Sequence, residues 1–184
     1  DETIHLGIDR RVEYECSRLA AQAGAAPEPI AFLAPEGYIL ARFVSGKGIP
    51  ADTMGMEENI ARVVASMKAY HAIESFPGFF SPFSVAEEYA RIAHSFNVKL
   101  PDKIDWYLEK SREIKSAMYT REPLTPHPCH NDLLNGTFID DGTRVRILDW
   151  EYAGMGDIFF DLGNFAAQHV EKARLRLVPR VAAS

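Results

Sequence analysis

The sequence predicts an α+β fold in which a small strand-bearing part is followed by a mainly helical part with a β-hairpin. A strand-like run lies near the N-terminus, three helical patterns follow one another in the middle of the chain, and two short β-type runs flank a turn after them. At 184 residues the chain has the length of one domain, or of one and a fraction. We expect the first part to cover residues 1–46 and the second to cover residues 47–184.

The N-terminal part is predicted to hold one helix and one strand before a linker. Asp9 is a good N-cap residue, and the residues after it predict an amphipathic helix over about residues 10–23 that ends at Gly24. The apolar stripe of this helix consists of Val12, Cys16, Leu19, Ala20 and Ala23. The run Tyr38–Val44 predicts a strand, and Gly46–Pro50 predicts a short linker.

Three helices are predicted for the middle of the chain. The first begins at about Glu57, and the second begins at a capping box formed by Ser84 and Glu87. The third begins after Asp102 and is closed off by Pro123. Its apolar residues include Tyr107, Ile114 and Met118.

A hairpin is predicted to bring two carboxylates to the same place. Thr137–Ile139 and Val145–Leu148 are strand-like, and Asp140–Thr143 forms the turn between them. Asp132 lies just before this hairpin and Asp149 just after it, so the turn folds the two side chains toward one another. In such a pair one carboxylate can accept or orient a proton while the other holds a hard cation such as Mg²⁺.

Composition and charge exclude several classes of protein. With 47% hydrophobic and 25% charged residues the chain is an ordinary globular protein, and its 20 Lys and Arg against 26 Asp and Glu give a formal net charge of −6. This sign disfavours a nucleic-acid partner. No apolar run approaches the ~18 residues of a membrane span, and no signal peptide is evident, so we expect no membrane partner. With only Cys16 and Cys129, a reducing, cytoplasmic location is expected.

Three motifs together identify a known family. They are Cys129–Leu134, Leu148–Gly154 and Phe160–Asn164. The first contains the His-x-Asp spacing of the kinase catalytic loop. The stretch from Cys129 to Asn164, which holds the three motifs, resembles the choline/ethanolamine kinases and aminoglycoside phosphotransferases, which have a protein kinase-like fold. This resemblance implies an ATP-dependent phosphotransferase that moves the γ-phosphate to a hydroxyl of a small amino alcohol, with ATP and Mg²⁺ as cofactors.

The same resemblance assigns roles to four residues around the hairpin. Asp132 is the expected catalytic base, and Asp149 is the expected Mg²⁺ ligand. Thr137 stands where the family has its metal-binding Asn, while Asn135 lies two residues earlier. A Thr hydroxyl can ligate Mg²⁺, so both Thr137 and Asn135 are candidates for helping Asp149.

Upstream, the resemblance is carried by the first helix and by Phe43–Gly46 at the end of the first strand. Glu13 matches the Glu that pairs with the cation gripping the nucleotide phosphates, and the backbone around Arg42 and Val44 matches the hinge that meets adenine. We therefore expect Glu13, Arg42 and Val44 to bind the nucleotide. Since the family has its phosphate-covering loop and that cation before Gly7, the chain resembles a kinase truncated at both ends.

The neighbours of these residues favour structural roles. His130 is expected to bond backbone groups, Asp161 to accept backbone N–H bonds above the site, and Cys129 to be an inert packing residue. Glu151 is either a second metal oxygen or a surface or hydrogen-bonding carboxylate.

Two other functions stay open from the sequence. One is a truncated or degenerate kinase-like module that binds nucleotide or a partner without phosphoryl transfer, favoured by Thr137. The other is a zinc hydrolase whose ligands would be His127, His130, Asp132 and Asp149.

Overall fold

The computed structural model describes residues 6–121 and 123–169. Within them the helix, strand, three helices and hairpin that the sequence predicts follow one another in that order. The structure adds several short strands and a last helix after the hairpin. The elements are α1 (Arg10–Gln22), β1 (Pro29–Leu33), β2 (Tyr38–Ala41), β3 (Lys47–Gly48), α2 (Glu57–His71), α3 (Pro82–Ser95), α4 (Ile104–Arg121), β4 (His127–Cys129), β5 (Phe138–Asp140), β6 (Val145–Ile147), β7 (Gly154–Gly156) and α5 (Ile158–His169).

The strands form small antiparallel sheets. β1 pairs with β2, and β4 pairs with β7. The predicted hairpin is confirmed, because β5 and β6 pair with Phe138 opposite Ile147. The predicted linker is wrong in part, since Lys47 and Gly48 form β3 and pair with Asp140 and Ile139 on the outer edge of this hairpin.

The first helix agrees with its prediction. Asp9 is its N-cap, and Oδ1 of Asp9 accepts from the backbone N–H groups of Arg11 (2.8 Å) and Val12 (3.2 Å). The helix ends at Gln22, and Gly24 follows with a φ of 77°, a left-handed conformation that suits glycine. The strand predicted for Tyr38–Val44 is shorter than expected, because its pairing with β1 ends at Ala41.

The helices of the middle are confirmed, with one corrected start. α2 begins at Glu57 and α4 begins after Asp102, both as predicted. The capping box at Ser84 is wrong: Ser81 is the N-cap of α3, its hydroxyl accepts from the N–H of Ser84 (3.4 Å), and Pro82 is the first helical residue. Proline favours this position because its fixed φ suits a helix start. None of the described helices is both long and apolar enough to cross a membrane.

The core joins the first two helices to the hairpin, with Trp150 at its centre. The Trp150 ring is buried and meets the rings of Tyr70, Phe76 and His130 edge-on, at centroid distances of 5.1, 5.8 and 4.7 Å. The largest other buried apolar side chains are Phe138, Met54, Met67, Leu133 and Ile147. Because Trp150 directly follows Asp149, this packing fixes the chain on which that carboxylate lies.

Candidate active site

One buried carboxylate, that of Asp161, anchors the loop before Asp132. Oδ2 of Asp161 accepts from the N–H of His130 (3.0 Å) and the Tyr70 hydroxyl (2.7 Å), and it lies 3.0 Å from Nε2 of His71. Oδ1 accepts from the N–H of Asn131 (2.6 Å). Burial alone would raise the pKa of Asp161, but the hydrogen bonds from His71, Tyr70 and the backbone lower it below its usual range. The predicted anchoring role of Asp161 is confirmed.

Two further contacts fix the loop on either side of Asp132. The side-chain oxygen of Asn164, one helical turn after Asp161, accepts from the N–H of Leu133 (2.7 Å). His130 is fully buried; its Nδ1 accepts from the N–H of Asp132 (3.2 Å), and its Nε2 lies 2.8 Å from the carbonyl oxygen of Leu148. Burial lowers the pKa of His130, which favours the neutral ring that these two bonds require. His130 is therefore structural, as predicted.

The structure brings Asp132 close enough to Asp149 for their charges to interact. Asp132 is half-buried, and burial raises the pKa of its carboxyl group; the negative charge of Asp149 adds to this effect. A raised pKa makes a carboxylate a stronger proton acceptor.

Asp149 itself is exposed and held in an unusual backbone conformation. Its φ is 65°, in the left-handed region that non-glycine residues rarely adopt. The flanking residues enforce this conformation: the N–H of Leu148 donates to the carbonyl of Thr137 (2.8 Å), and Nε1 of Trp150 donates to the carbonyl of Ile147 (2.9 Å). Such strain is found at functional sites, where the surrounding structure maintains it.

The other two candidate metal ligands lie in a short 3₁₀ turn before the hairpin. Thr137 is buried, and its hydroxyl donates to the carbonyl of Leu134 (2.7 Å). The side-chain amide of Asn135 donates to the carbonyl of Ile49 (3.4 Å), whereas its buried Oδ1 has no partner within the described residues. Asp149, Asn135 and Thr137 offer only oxygen donors, which are the ligands that Mg²⁺ prefers, so these residues fit a magnesium ion.

Glu13 lies beside the two carboxylates that follow the hairpin. Burial raises the pKa of Glu13, Arg10 lowers it, and the charge of Asp149 raises it further. Nη1 of Arg10 donates to Oε2 of Glu13 (2.6 Å) and to Oε2 of Glu151 (3.3 Å). Glu13, Asp149 and Glu151 thus converge, with Arg10 among them.

The predicted hinge residues Arg42 and Val44 line a cavity away from the carboxylate pair. The side chain of Arg42 is two-thirds exposed, and its Nε donates to Oε2 of Glu28 (2.8 Å). Arg42 and Val44 both line a cavity of about 360 Å³, together with Asp141 and Arg146 of the hairpin. Asp132 and Asp149 do not line it, so the structure does not bring the hinge candidates and the carboxylate pair into one described cavity.

A second cavity, of about 370 Å³, adjoins the carboxylate cluster at Glu151. Aromatic and acidic side chains line much of it, among them Phe80, Glu88, Tyr89, Glu151 and Tyr152. The hydroxyls of Tyr89 and Tyr152 lie 3.2 Å apart. Burial, this hydrogen bond and the charges of Glu151 and Asp132 raise the pKa of the Tyr152 hydroxyl, which places Tyr152 within electrostatic reach of Asp132.

One predicted ligand of the zinc hydrolase, His130, is otherwise engaged. Both ring nitrogens of His130 face backbone groups, so neither is free for a metal. His71, Cys129 and Asp161 have ligand atoms within 4.8 Å of one another, but Asp161 is the acceptor that anchors the loop. Burial raises the pKa of the Cys129 thiol, with the charge of Asp161 adding to the effect. These contacts support Cys129 as a packing residue.

Arg10 and Asn164 make contacts in the site, and the sequence predicted no role for either residue. Asn164 lies three residues after Asp161, a helical spacing that puts both on one face, and this signal predicts a shared partner. Arg10 lies three residues before Glu13, so their pairing is also local. The contact of Arg10 with Glu151 joins residues 141 positions apart and has no local signal.

This order of elements, with an anchored Asp132 loop before a hairpin and Asp149 after it, defines the class of kinase-like phosphotransferases. The sequence matches the phosphotransferase enzyme family over residues 9–184, and the chain belongs to that family.

Relatives and solved structures agree with this class. The chain is 28% identical to Protein LicA of Haemophilus influenzae over 181 residues, covering 94% of this chain and 50% of that protein. A choline/ethanolamine kinase family protein from Mesorhizobium loti matches with a TM-score of 0.76 and 29% identity, covering 89% and 55% of the two chains. A structure of LicA in complex with AMP matches with a TM-score of 0.76 and 18% identity, covering 90% and 57%. The chain thus spans about half the length of these proteins.

Proposed function

We propose that this chain carries the catalytic loop and metal loop of an ATP-dependent small-molecule kinase that phosphorylates a hydroxyl of an amino alcohol of the choline or ethanolamine type. The observation that carries the proposal is the anchored loop: Asp161 and Asn164 accept backbone N–H groups on both sides of Asp132, and His130 accepts the N–H of Asp132 itself. Membership of the phosphotransferase enzyme family supports the reaction type.

In this proposal Asp132 orients the acceptor hydroxyl and receives its proton. The hydroxyl oxygen forms a bond to the γ-phosphorus, the bond from that phosphorus to the bridging β-phosphate oxygen breaks, and ADP leaves. Half-burial and the nearby Asp149 both raise the pKa of Asp132 and so increase its basicity. Its backbone N–H is bound to His130, which keeps the carboxylate at a fixed place.

Asp149, with Asn135 or Thr137, would hold Mg²⁺. The unpartnered Oδ1 of Asn135 supports a contribution from that residue, and the hydroxyl of Thr137 keeps lone pairs free because it is a donor to Leu134. When bound, Mg²⁺ supplies charge neutralisation on the β- and γ-phosphates. Glu13 would help to place the nucleotide, and the backbone near Arg42 and Val44 would meet adenine. A LicA structure with AMP supports a nucleotide partner.

The cavity beside Glu151 supports a cationic acceptor. Tyr89, Tyr152 and Phe80 give it aromatic faces, and the carboxylates of Glu88 and Glu151, each paired with an arginine, also line it. Aromatic faces and carboxylates together favour an ammonium group over a neutral one.

The test is phosphoryl transfer from ATP in the presence of Mg²⁺ to choline, ethanolamine and a neutral alcohol of similar size. Asp132→Asn should lower kcat by about 10²–10⁴, because the variant cannot accept the proton, with little change in the KM for ATP. Asp52→Asn, an exposed carboxylate, is the control. Normal turnover by Asp132→Asn would show that Asp132 is not the base.

A second candidate is a module that binds nucleotide without transferring phosphate. Thr137 favours it, since this residue stands where the family has its metal-binding Asn. Calorimetric titration with ATP separates the two functions: binding that is independent of Mg²⁺, together with no turnover on any alcohol, favours the module.

A further inference from the structure

Arg10 is wedged between three parts of the chain. Its stem lies against Gly37 in the turn between β1 and β2, where an added Cβ would lie 3.2 Å from Cγ of Arg10. Its guanidinium contacts Glu13 on its own helix and Glu151 just after Asp149. Only 28% of the Arg10 side chain is exposed, so its position is restricted by packing as well as by charge.

One guanidinium nitrogen of Arg10, Nη1, donates hydrogen bonds to both Glu13 and Glu151. Nη1 lies 2.6 Å from Oε2 of Glu13 and 3.3 Å from Oε2 of Glu151, and the two glutamate side chains are 13% and 23% exposed. Among the ion pairs of the described residues, no other involves either glutamate. Arg10 is therefore the counter-charge through which α1 is attached to the segment after Asp149.

The contact with Arg10 also bears on whether the Glu151 carboxylate is available to bind a cation. Glu151 lies two residues after Asp149, and the negative charge of Asp149 acts on both Glu151 and Glu13. A free carboxylate at that place would be a second oxygen ligand for a cation on Asp149, and affinity for hard cations rises with the number of charged ligands. A carboxylate that accepts a hydrogen bond from a guanidinium is already partly neutralised and is turned toward α1.

We propose that Arg10 is a positioning residue that binds Glu13 and Glu151 together, fixes α1 against the Asp149 segment and withholds the Glu151 carboxylate from the metal. This inference rests on the proposed function, because it takes Asp149 as the metal ligand. Of the two roles that the sequence leaves open for Glu151, this assigns the hydrogen-bonding carboxylate, which here binds α1, and not the second metal ligand.

The test is binding of Mn²⁺, as a probe for Mg²⁺, to the full chain without nucleotide, followed by electron paramagnetic resonance. Arg10→Gln should bind Mn²⁺ roughly tenfold more tightly, because Glu151 is released to the ion. The double variant Arg10→Gln/Glu151→Gln should return to the parent affinity. Arg18→Gln is the matched control, since Arg18 forms an ion pair with Glu15 on the same helix (2.8 Å) and has no third partner among the described residues.

A second variant keeps the test independent of how well Arg10→Gln folds. Glu151→Gln alone should leave the Mn²⁺ affinity unchanged, because its carboxylate does not reach the ion in the parent. A loss of affinity in Glu151→Gln, or parent affinity in a folded Arg10→Gln, overturns the inference. An ion pair that serves stability alone would lower Tm in Arg10→Gln without tightening Mn²⁺ binding.

The outcomes separate this inference from the proposed function. If Asp149→Asn abolishes Mn²⁺ binding while Arg10→Gln behaves as the parent, the metal site stands and the role of Arg10 is wrong. If the Arg10 and Glu151 variants behave as expected but no alcohol is phosphorylated, the inference stands and the kinase activity is wrong. If the parent binds no Mn²⁺, both are overturned.

Discussion

At the scale of single residues, Asp161 carries the most concentrated set of contacts in the site. Its buried carboxylate accepts two backbone N–H groups from the loop before Asp132 and one hydroxyl from Tyr70, and His71 completes the set. Removing one partner of a hydrogen bond to a buried charge costs about 1.5–3 kcal/mol. In Asp161→Asn the side-chain NH2 group also faces N–H and O–H groups that donate to the carboxylate in the parent, so two donors then oppose each other.

The stability that Asp161 contributes is expected to depend on pH. Its pKa is lowered in the folded state, so its contribution is present above the unfolded value of about 3.9 and is lost as pH falls through the folded value. Asp161→Asn should therefore be less stable than the parent by at least about 1.5–3 kcal/mol at neutral pH, with the difference shrinking below about pH 4. Urea unfolding of both proteins from pH 3 to pH 7 measures this.

The matched control for this prediction is Asp102→Asn, because Asp102 is an exposed carboxylate in the turn before α4. Its stability difference from the parent should be small at every pH. A difference between Asp161→Asn and the parent that stays constant down to pH 3 would contradict the lowered pKa of Asp161.

At the scale of elements, the start of α3 tests how a helix cap is chosen. The hydroxyl of Ser81 accepts from the N–H of Ser84, so Ser81→Ala should lower the free energy of unfolding by about 0.5–2 kcal/mol. Ser84→Ala is the control, because Ser84 lies inside the helix, where alanine is at least as favourable as serine. Urea unfolding of the two variants compares them, and a larger loss in Ser84→Ala would restore the cap predicted from the sequence.

The same helix shows why local patterns predict elements better than their ends. Ser84 and Glu87 have the spacing of a capping box, but Pro82 also favours a first helical position, and the structure starts the helix there. The hairpin of β5 and β6 was predictable because both strands and their turn lie within a few residues. The pairing of Lys47 and Gly48 with this hairpin was not, since a two-residue strand far away in sequence has no periodic signal.

The candidate site shows the same division between local and distant signals. The motifs of Asp132, Asp149 and Asp161 lie within about thirty residues of one another along the chain. The anchoring by Asp161 is confirmed, and the roles of Asp132 and Asp149 stay predictions. The pairing of Asp161 with His71 depends on how α2 packs, and the pairing of Arg10 with Glu151 depends on how α1 packs. These contacts form only in the folded chain, so composition and spacing carry no signal for them.

At the scale of the whole molecule, the carboxylates of the proposed site come from distant segments, so ligand binding should stabilise the fold as a unit. Glu13 comes from α1, Asp132 from the loop before the hairpin, and Asp149 from the segment after it. A ligand that binds the folded state alone stabilises it by about 2.7 kcal/mol at one hundred times its Kd. For a chain of this size that corresponds to a rise in Tm of about 5–10 °C.

Thermal unfolding with ATP alone, Mg²⁺ alone and both together should therefore show the largest rise in Tm with both. Asp149→Asn should lose most of the increment that depends on Mg²⁺, because the proposed metal ligand is removed, while Asp105→Asn, an exposed carboxylate at the start of α4, should keep it. An equal increment in Asp149→Asn and the parent would mean that ATP and Mg²⁺ bind elsewhere on the chain. A rise with ATP alone that Mg²⁺ does not increase would instead favour the nucleotide-binding module, since the carboxylates would then contribute no metal site.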